Sequence, residues 1–290
     1  MEHYGSEPKV STAPCASRTM EQLEKAGYLN EEFRLFHLRD RQDREFPYHY
    51  HDFHKIIVFL SGKVTYHIEG KSYHLKPWDI LLVSRHAIHR PEIDAAVPYE
   101  RFILYVKEEL TQSLLTQCFQ KAADRSFSLV RLNPELQAHL KDILYELEVS
   151  LHTEAFGSEI LCTSLFHQFM IYLNRIFLEK EYIHDRKSYS SDSQIDKLLT
   201  YINRNLEADL SVETLARKYY LSKYYLMRKF KEETGYTLHS YIVSKRLLLA
   251  RALITDGTPV IKAARQSGFH DYTTFVRAYK KQFGATPSKG

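Results

Sequence analysis

Two segments near the C-terminus carry the same pattern of side chains, and the pattern is typical of a surface that contacts DNA. The matching residues lie 49 positions apart: Leu226 and Phe275, Arg228 and Arg277, Phe230 and Tyr279, Lys231 and Lys280, Gly235 and Gly284. An arginine offers paired N–H donors that match the two acceptors on the major-groove edge of guanine, and lysine contacts phosphates. A constant offset indicates one structural unit present twice.

Both segments are predicted to be helices with one buried side. In each segment two apolar residues stand four positions apart, which places them on the same side of a helix; they are Leu226 with Phe230 and Phe275 with Tyr279. Serine and aspartate are favoured before a helix, and glycine is favoured just after one. The candidate caps are Ser222, Asp271, Gly235 and Gly284.

A shorter helix is predicted before each segment, which gives two helix-turn-helix units over about residues 211–235 and 258–284. Ser211 is a candidate N-cap of the first short helix, and Thr258 is one for the second, followed by Pro259. A long helix over about 238–255 joins the units and spans roughly 27 Å. Such a helix can hold two helices in successive segments of the major groove, about 34 Å apart along DNA.

Residues 194–290 resemble the DNA-binding domain of AraC-type (AraC/XylS) transcriptional regulators. The resemblance rests on an ordered set of residues: Tyr201, Ile202, Leu215, Ala216, Leu221, Ser222, Phe230, Lys231, Gly235, Tyr241, Ile242, Arg246, Leu247, Ala250, Gly268, Phe269, Asp271, Phe275, Arg277, Lys280, Lys281, Gly284, Thr286 and Pro287. The chain departs from the family at Ala263, where isoleucine is usual, and at Tyr279, where phenylalanine is usual. Both are core positions, so the fold is expected to remain.

The resemblance implies double-stranded DNA as the partner and also implies which residues contact it. In the first helix, the family's base-contacting positions hold Tyr224, Met227 and Arg228 here. In the second helix, the corresponding positions hold Tyr272, Thr273, Thr274 and Arg277. Ser222 and Lys223 begin the first helix and complete the predicted DNA-binding set, with Lys223 expected near phosphate.

Charge is distributed unevenly along the 290 residues. Residues 191–290 contain 17 Lys and Arg against 9 Asp and Glu, a net charge of +8, whereas the remaining residues have a net charge of −4. A basic C-terminal part fits a polyanionic partner. The three cysteines are far apart and indicate neither a disulfide framework nor a metal site. Without a signal peptide or an apolar run of about 20 residues, a cytoplasmic protein with no membrane segment is expected.

The N-terminal part is predicted to be a β-barrel followed by amphipathic helices, so the fold class is α+β with two domains. Short apolar or alternating runs separated by glycine turns indicate the strands, and they resemble the cupin-like sensor domain that is usual in this family. The predicted division is an N-terminal arm (1–30), a cupin-like effector-binding barrel (31–110), a helical dimerisation region (111–183), a linker (184–193) and an all-α tandem helix-turn-helix domain (194–290).

A histidine-rich stretch from His49 to His54 lies within the predicted barrel. Histidines at i and i+2 project to the same face of a strand, as a metal site requires. Metal-binding cupins have a glutamate four positions after the second histidine, but Lys55 stands there, and its charge opposes a metal ion. We therefore expect an effector pocket without metal, for which the candidate residues are His49, His51, Tyr66, Trp78 and His89.

The patterns favour a transcription regulator over an enzyme. No Ser/His/Asp set, phosphate-binding glycine loop or CxxC pair occurs, so no catalytic residue and no cofactor is predicted. From the family we expect a homodimer that activates metabolic genes, contacts RNA polymerase and responds to a small polar effector such as a sugar. Two alternatives remain open: a metal-dependent cupin enzyme fused to a DNA-binding module, and an architectural DNA-binding dimer without a ligand.

Overall fold

The computed structural model describes residues 24–25, 29–41, 46–108, 111, 113–125, 127–179, 189–190 and 193–288. The chain divides into two units. The first, called the β unit, comprises Tyr28–Pro47 and His51–Ser191. The second, called the helical unit, comprises Asp192–Gly290 together with Tyr48–Tyr50 and the described residues of Met1–Gly27.

Short strands occupy most of residues 33–106, as the alternating and apolar runs predict. The strands are β1 (Glu24–Lys25), β2 (Phe33–Asp40), β3 (His49–Tyr50), β4 (His54–Ser61), β5 (Val64–Ile68), β6 (Lys71–His74), β7 (Ile80–Val83), β8 (His89–Ile93), β9 (Tyr99–Val106), β10 (Leu129–Val130) and β11 (Tyr189–Ser190). In the β unit one antiparallel sheet has the strand order β8–β5–β6–β11, and a second has the order β10–β7–β4–β9–β2. Strands β1 and β3 pair in parallel within the helical unit.

The two sheets of the β unit face each other across a core filled by alternate residues of their strands. Along β5, Val64, Tyr66 and Ile68 are buried while the residues between them are partly exposed, because successive side chains of a strand point to opposite faces. The core between the sheets contains Ile57, Phe59, Val64, Tyr66, Ile68, Tyr73, Leu81, Val83, Ala87, Tyr99, Phe127 and Leu129. Large aromatic side chains therefore occupy much of the space between the sheets.

The other face of the β10–β7–β4–β9–β2 sheet packs against helices. These are α1 (Gln117–Arg125), which follows a 3-10 turn at Ser113–Thr116, α2 (Pro134–Leu151) and α3 (Ser158–Glu179). In β4, Ile56 lies in the core shared with the helices, whereas the next residue, Ile57, faces the other sheet. Because both faces of β4 are buried, its sequence is an almost continuous apolar run rather than an alternating one.

Three short strands lie outside the predicted barrel segment, and the first of them, β1, lies in the predicted N-terminal arm. Strand β10 lies in the region predicted to be helical and pairs with β7. Strand β11 lies inside the predicted linker and pairs with β6, so this part of the linker belongs to a sheet. A strand of only two residues has too short a sequence pattern to be predicted, because its pairing depends on a partner that is distant in the sequence. The other residues of the predicted linker except Ser193, and most of the predicted N-terminal arm, lie outside the described residues.

Residues 193–288 are helical, as predicted. The helices are α4 (Ser193–Arg204), α5 (Val212–Lys218), α6 (Lys223–Thr234), α7 (Leu238–Thr255), α8 (Val260–Gln266) and α9 (Tyr272–Phe283). The pairs α5/α6 and α8/α9 form the two helix-turn-helix units, and α7 joins them. Ser211 caps α5 as predicted, but Thr258 does not cap α8, because that helix begins one residue later with Pro259 in the cap position.

Helix α7 connects the two helix-turn-helix units through its side chains as well as its backbone. Arg246 donates from Nε to the Leu206 carbonyl oxygen at 2.8 Å and from Nη2 to the Ala208 carbonyl oxygen at 2.7 Å. Ala250 and Ala264 are buried between α7 and α8, where small side chains permit a close crossing.

The division into a β unit and a helical unit confirms the predicted two-domain α+β class. Among the described helices, none is long and apolar enough to cross a lipid bilayer.

Candidate nucleic-acid interface and histidine site

Helix α6 buries its apolar side and leaves the predicted DNA-contacting side chains in solvent. Leu226 and Phe230 are fully buried, and the Phe230 ring packs edge-on against Tyr241 of α7, with 5.4 Å between the ring centroids. Each of these buried side chains stabilises the unit by about 2 kcal/mol, and together they set the rotation of α6 about its axis. The exposed side chains are Lys223, Tyr224, Met227 and Arg228.

The first turn of α6 is set by Ser222, whose hydroxyl oxygen accepts a hydrogen bond from the Tyr225 backbone N–H at 3.2 Å. Lys223 forms an ion pair with Glu213 of α5, and Arg228 Nη1 lies 3.5 Å from a carboxylate oxygen of Glu232. Both ion pairs are exposed, so each contributes little to stability. Lys223 and Arg228 can therefore leave these carboxylates for another anionic partner with little loss of stability.

Helix α9 repeats this arrangement. Phe275 and Tyr279 are buried, and the exposed side chains are Tyr272, Thr273, Thr274 and Arg277. Asp271 caps the helix by accepting a hydrogen bond from the Thr274 backbone N–H at 2.6 Å. Hydrogen bonds from the Thr274 side chain and backbone hold the pKa of Asp271 below its ordinary value. The Asp271 carboxylate therefore remains ionised near neutral pH. Its negative charge interacts favourably with the positive end of the helix dipole at the N-terminus of α9.

The turns of the two helix-turn-helix units differ in length by one residue. In the first, the Leu221 N–H donates to the Ala216 carbonyl oxygen, and in the second Phe269 donates to Ala264. These pairs lie 48 positions apart rather than 49, because His270 lengthens the second turn. The residue before each donor has a positive φ; it is Tyr220 in the first turn and Gly268 in the second. The 49-residue offset of the helices does not reveal that Tyr220 and Gly268 occupy equivalent positions, because the turns differ in length.

A groove of about 640 Å³ runs beside α6 and reaches the start of α7. Tyr224, Met227 and Arg228 of α6 line it. Leu238 and His239, from the first turn of α7, also line it. The predicted base-contacting residues of α6 thus border a concave surface.

In the β unit, two of the predicted effector residues lie together. The imidazole rings of His51 and His89 are buried, with 5.0 Å between their centroids. His89 Nδ1 lies 2.9 Å from the Ala87 carbonyl oxygen. A carbonyl oxygen only accepts, so Nδ1 carries the proton and Nε2 is left as the acceptor or ligand atom. Two neighbouring imidazoles of this kind can bind a hydroxyl group or a metal ion.

The other predicted effector residues lie in different surroundings. Tyr66 is buried between the two sheets, where its hydroxyl oxygen accepts a hydrogen bond from the Tyr99 hydroxyl at 3.3 Å. Trp78 is partly exposed on the helix side of the second sheet, with Lys141 Nζ 5.5 Å from its ring centroid. His49 is half-buried in β3, which belongs to the helical unit. Tyr66 and Trp78 therefore lie on opposite sides of one sheet.

Lys55 is buried in the β unit. Its Nζ lies 5.9 Å from the centroid of the Tyr105 ring, and that ring lies 5.9 Å from the ring of His51. The Tyr105 ring thus lies between Lys55 and His51 in this chain of neighbouring side chains.

The two described cysteines are not suited to nucleophilic chemistry. Burial raises the pKa of the Cys118 thiol to about 12, and burial also raises the pKa of Cys162. Neither side chain forms an appreciable amount of thiolate near neutral pH, and the thiolate is the reactive form. Cys15 lies outside the described residues.

Comparison with known proteins assigns a family domain to each part of the chain. A family model described as an AraC-like ligand binding domain matches residues 33–170, and a helix-turn-helix domain model matches residues 215–289. The chain is 23% identical over 264 residues to the HTH-type transcriptional activator RhaR of Mannheimia succiniciproducens, which covers 90% of this chain and 93% of that protein. It is 23% identical over 246 residues to the HTH-type transcriptional activator RhaS of Citrobacter koseri, and this match covers 83% of this chain and 86% of that protein.

Among solved structures, the chain is similar to an apo ToxT variant from Vibrio cholerae, with 14% identity, 90% of this chain and 97% of that chain covered, and a TM-score of 0.38. The two family models follow one another in the order that the resemblance of residues 194–290 implies, and together they match almost three quarters of the chain. The chain belongs to the AraC-type transcriptional regulators, with a helix-turn-helix domain for binding DNA.

Proposed function

We propose that the protein binds a specific DNA sequence through α6 and α9 and activates transcription of metabolic genes in the cytoplasm in response to a small effector. The observation that carries the proposal is the repeated surface: two capped helices, each buried on its apolar side and each presenting one exposed arginine. The relatives above are named activators, which supports activation over repression. Contact with RNA polymerase, as in other family members, is part of the same proposal.

The exposed side chains divide into those that read bases and those that contact the backbone. Arg228 and Arg277 are suited to two hydrogen bonds with one guanine each. Thr273 and Thr274 are short enough to meet a thymine methyl group or a phosphate. Tyr224, Met227 and Tyr272 provide apolar contact area, and Ser222 and Lys223 lie where the backbone of the duplex passes the start of α6.

Arg228→Ala and Arg277→Ala should each weaken specific binding by about 1–3 kcal/mol, which is roughly 5- to 150-fold in Kd. Each substitution removes the paired hydrogen bonds to one guanine, and both side chains are exposed, so folding is preserved. The probe is a duplex that the full-length wild-type protein has selected from a random-sequence library, called the selected duplex below. Fluorescence anisotropy at fixed salt measures the affinity.

Arg265→Ala is the matched control for both variants. It removes the same charge from an exposed position of the helical unit, but it lies on α8 rather than on α6 or α9. Only the salt-dependent share of the affinity should change in this variant. An equal loss in all three variants would argue against base recognition by Arg228 and Arg277, and unchanged affinity in both would remove their assigned role.

We propose that the effector is a small polar molecule, with a sugar as the first candidate, and that it binds next to His51 and His89. Imidazoles donate to and accept from hydroxyl groups, and both rings are buried side by side. The effector can change transcription only if it binds one state of the protein more tightly than another. A thermal-shift screen of the full chain against monosaccharides tests the proposal, and a shift with Zn²⁺ but with no sugar would favour the metal alternative.

A homodimer through α3 is the assembly that we propose. The outer side of α3 carries a stripe of exposed residues spaced three or four apart, which are Ile160, Ser164, Gln168, Ile171, Arg175 and Leu178. Apolar residues at this spacing favour pairing with a second helix. In an antiparallel pair of α3 helices, Ile160 of one subunit would face Leu178 of the other, with Ile171 near the middle.

Ile171→Glu should raise the dissociation constant of the dimer by about two orders of magnitude, because a two-fold interface receives two buried charges. Ile171 is 40% exposed in the single chain, so the substitution leaves the fold intact. Sedimentation equilibrium of the full chain measures the effect. Val97→Glu is the control, since Val97 is 42% exposed in a loop of the same unit. A wild-type monomer at micromolar concentration, or equal effects of both variants, would contradict this interface.

A further inference from the structure

Tyr220 combines an unfavourable backbone conformation with an exposed aromatic side chain. It has a φ of +55° in the turn between α5 and α6, and it is 96% exposed. A residue with a Cβ adopts this left-handed conformation at a cost in stability. An aromatic ring in solvent gains no packing energy in return, so the free protein has no stability reason for a tyrosine at this position.

The second helix-turn-helix unit shows that glycine serves the same turn. Gly268 occupies the equivalent position with a φ of +91°. The next N–H makes the same hydrogen bond in both turns, at 2.9 Å from Leu221 and at 3.0 Å from Phe269. A glycine at position 220 would therefore permit the turn without strain. A strained residue at an exposed position is a candidate for a functional role.

The surface around Tyr220 is basic and aromatic. Arg217 and Lys218 end α5, Lys223 begins α6, and all three are exposed. Tyr224, one helical turn further along the chain, is 74% exposed. This combination of positive charge and aromatic area next to α6 fits a nucleic-acid backbone better than it fits a neutral protein surface.

We propose that Tyr220 contacts the sugar-phosphate backbone of the DNA that α6 reads, with its hydroxyl donating a hydrogen bond to a phosphate and its ring covering the adjacent sugar. The proposal rests on DNA binding by α6. Because the turn precedes the helix whose exposed side chains reach the bases, Tyr220 positions α6 rather than reading a base. The strain at Tyr220 is then offset only in the complex.

Tyr220→Gly separates stability from DNA affinity. In the full chain this variant should raise the thermal midpoint of the helical unit by about 2–4 °C, because the strain is removed. It should also weaken binding to the selected duplex roughly tenfold, because a hydrogen bond to a charged phosphate is lost. The two effects have opposite directions, so damage to the fold cannot produce both.

Further measurements identify the kind of contact. Affinity for the selected duplex and for a mixed-sequence duplex should fall by the same factor in Tyr220→Gly, whereas Arg228→Ala should affect mainly the selected duplex. The slope of log affinity against log salt should stay at the wild-type value in Tyr220→Gly, but it should decrease by about 0.9 in Lys223→Ala, which removes a charge. Tyr220→Phe keeps the ring and should show a smaller loss, and Phe156→Gly, which alters an exposed ring in the β unit, should show none.

Four results would overturn the proposal. Unchanged affinity in Tyr220→Gly, with weakened binding in Arg228→Ala, would remove the Tyr220 contact and leave DNA binding by α6 in place. A lower thermal midpoint together with lower affinity would show that Tyr220 has a packing role. Reduced activation of a reporter gene with unchanged DNA affinity would show that Tyr220 meets a protein partner instead. If neither Tyr220→Gly nor Arg228→Ala changed the affinity for the selected duplex, DNA binding by α6 itself would be contradicted.

Discussion

Replacing Gly268 with alanine should lower the free energy of unfolding of the helical unit by about 3 kcal/mol. The φ of +91° at this position costs a residue with a Cβ about 1–2 kcal/mol. The new Cβ would also lie 2.2 Å from the carbonyl oxygen of Leu206 and 2.7 Å from Nε of Arg246. Since a carbonyl oxygen cannot rotate away as a side chain can, the backbone must move, which adds about 1–3 kcal/mol.

Gly284→Ala is the matched control, because Gly284 has a similar φ of +75° but no atom within 4 Å of the position that a Cβ would occupy. Its cost should be the conformational part alone, about 1 kcal/mol. Urea unfolding of the full chain measures both variants. Circular dichroism follows the helices, while fluorescence of the single tryptophan, Trp78, follows the β unit. Equal losses in the two glycine variants would show that the close approach to Leu206 does not matter.

Gly268→Ala should also weaken DNA binding, although Gly268 is not among the residues proposed to contact DNA. Gly268 lies in the turn of the second helix-turn-helix unit, and Leu206 precedes the first, so their close approach helps to set the relative orientation of α6 and α9. Arg246 supports this arrangement through its two hydrogen bonds to carbonyl oxygens before α5. Because two helices on one rigid body must reach successive grooves together, a shift in the turn reduces affinity as well as stability.

Replacing Arg131 with methionine should lower the free energy of unfolding of the β unit by about 3–5 kcal/mol. Arg131 donates two hydrogen bonds to the carboxylate of Asp79, from Nε at 2.8 Å and from Nη2 at 2.6 Å. Asp79 is fully buried and also accepts from the Lys76 backbone N–H at 2.7 Å. Methionine keeps much of the volume of the side chain but leaves a buried carboxylate without its cation, which is the costly state.

Two further variants separate the ion pair from other causes. Lys63→Met breaks the exposed pair with Asp94, in which Nζ lies 3.0 Å from the carboxylate, and its cost should be a small fraction of that of Arg131→Met, because exposed ion pairs contribute little to stability. The double variant with Asp79→Asn and Arg131→Met should recover much of the stability, because no buried charge remains. Trp78 adjoins Asp79 in sequence, so its fluorescence is a direct probe of this transition. A double variant as unstable as Arg131→Met would show that the charge is not the cause.

Much of the helical unit was predictable because its signals are local. Apolar residues four apart, a serine or aspartate before a helix and a glycine after it act within a single helix, so the chain displays them in consecutive positions. Helix α7 has the predicted bounds, and Ser222, Asp271, Gly235 and Gly284 are caps as predicted. The one misplaced cap is Thr258, which competes with the adjacent Pro259 for the start of α8.

The β unit was less predictable, because its arrangement depends on contacts between residues distant in the chain. Strands β10 and β11 have two residues each, and only their partners β7 and β6 define them. Tyr66 and Trp78 both looked suited to a pocket by residue type. Which side of a sheet a side chain takes depends on strand register and on the neighbouring layer, and these place the two residues on opposite sides.

By itself, the amino-acid sequence determined the two-domain α+β class, the duplicated helix-turn-helix units and the arginines that α6 and α9 expose, because these follow from spacing within single helices. Only the tertiary structure decided that His51 and His89 are neighbours, that Gly268 approaches Leu206, and that Tyr220 takes the strained position that glycine takes in the second turn. Each of these depends on where separate elements pack, and spacing along one element carries no information about that.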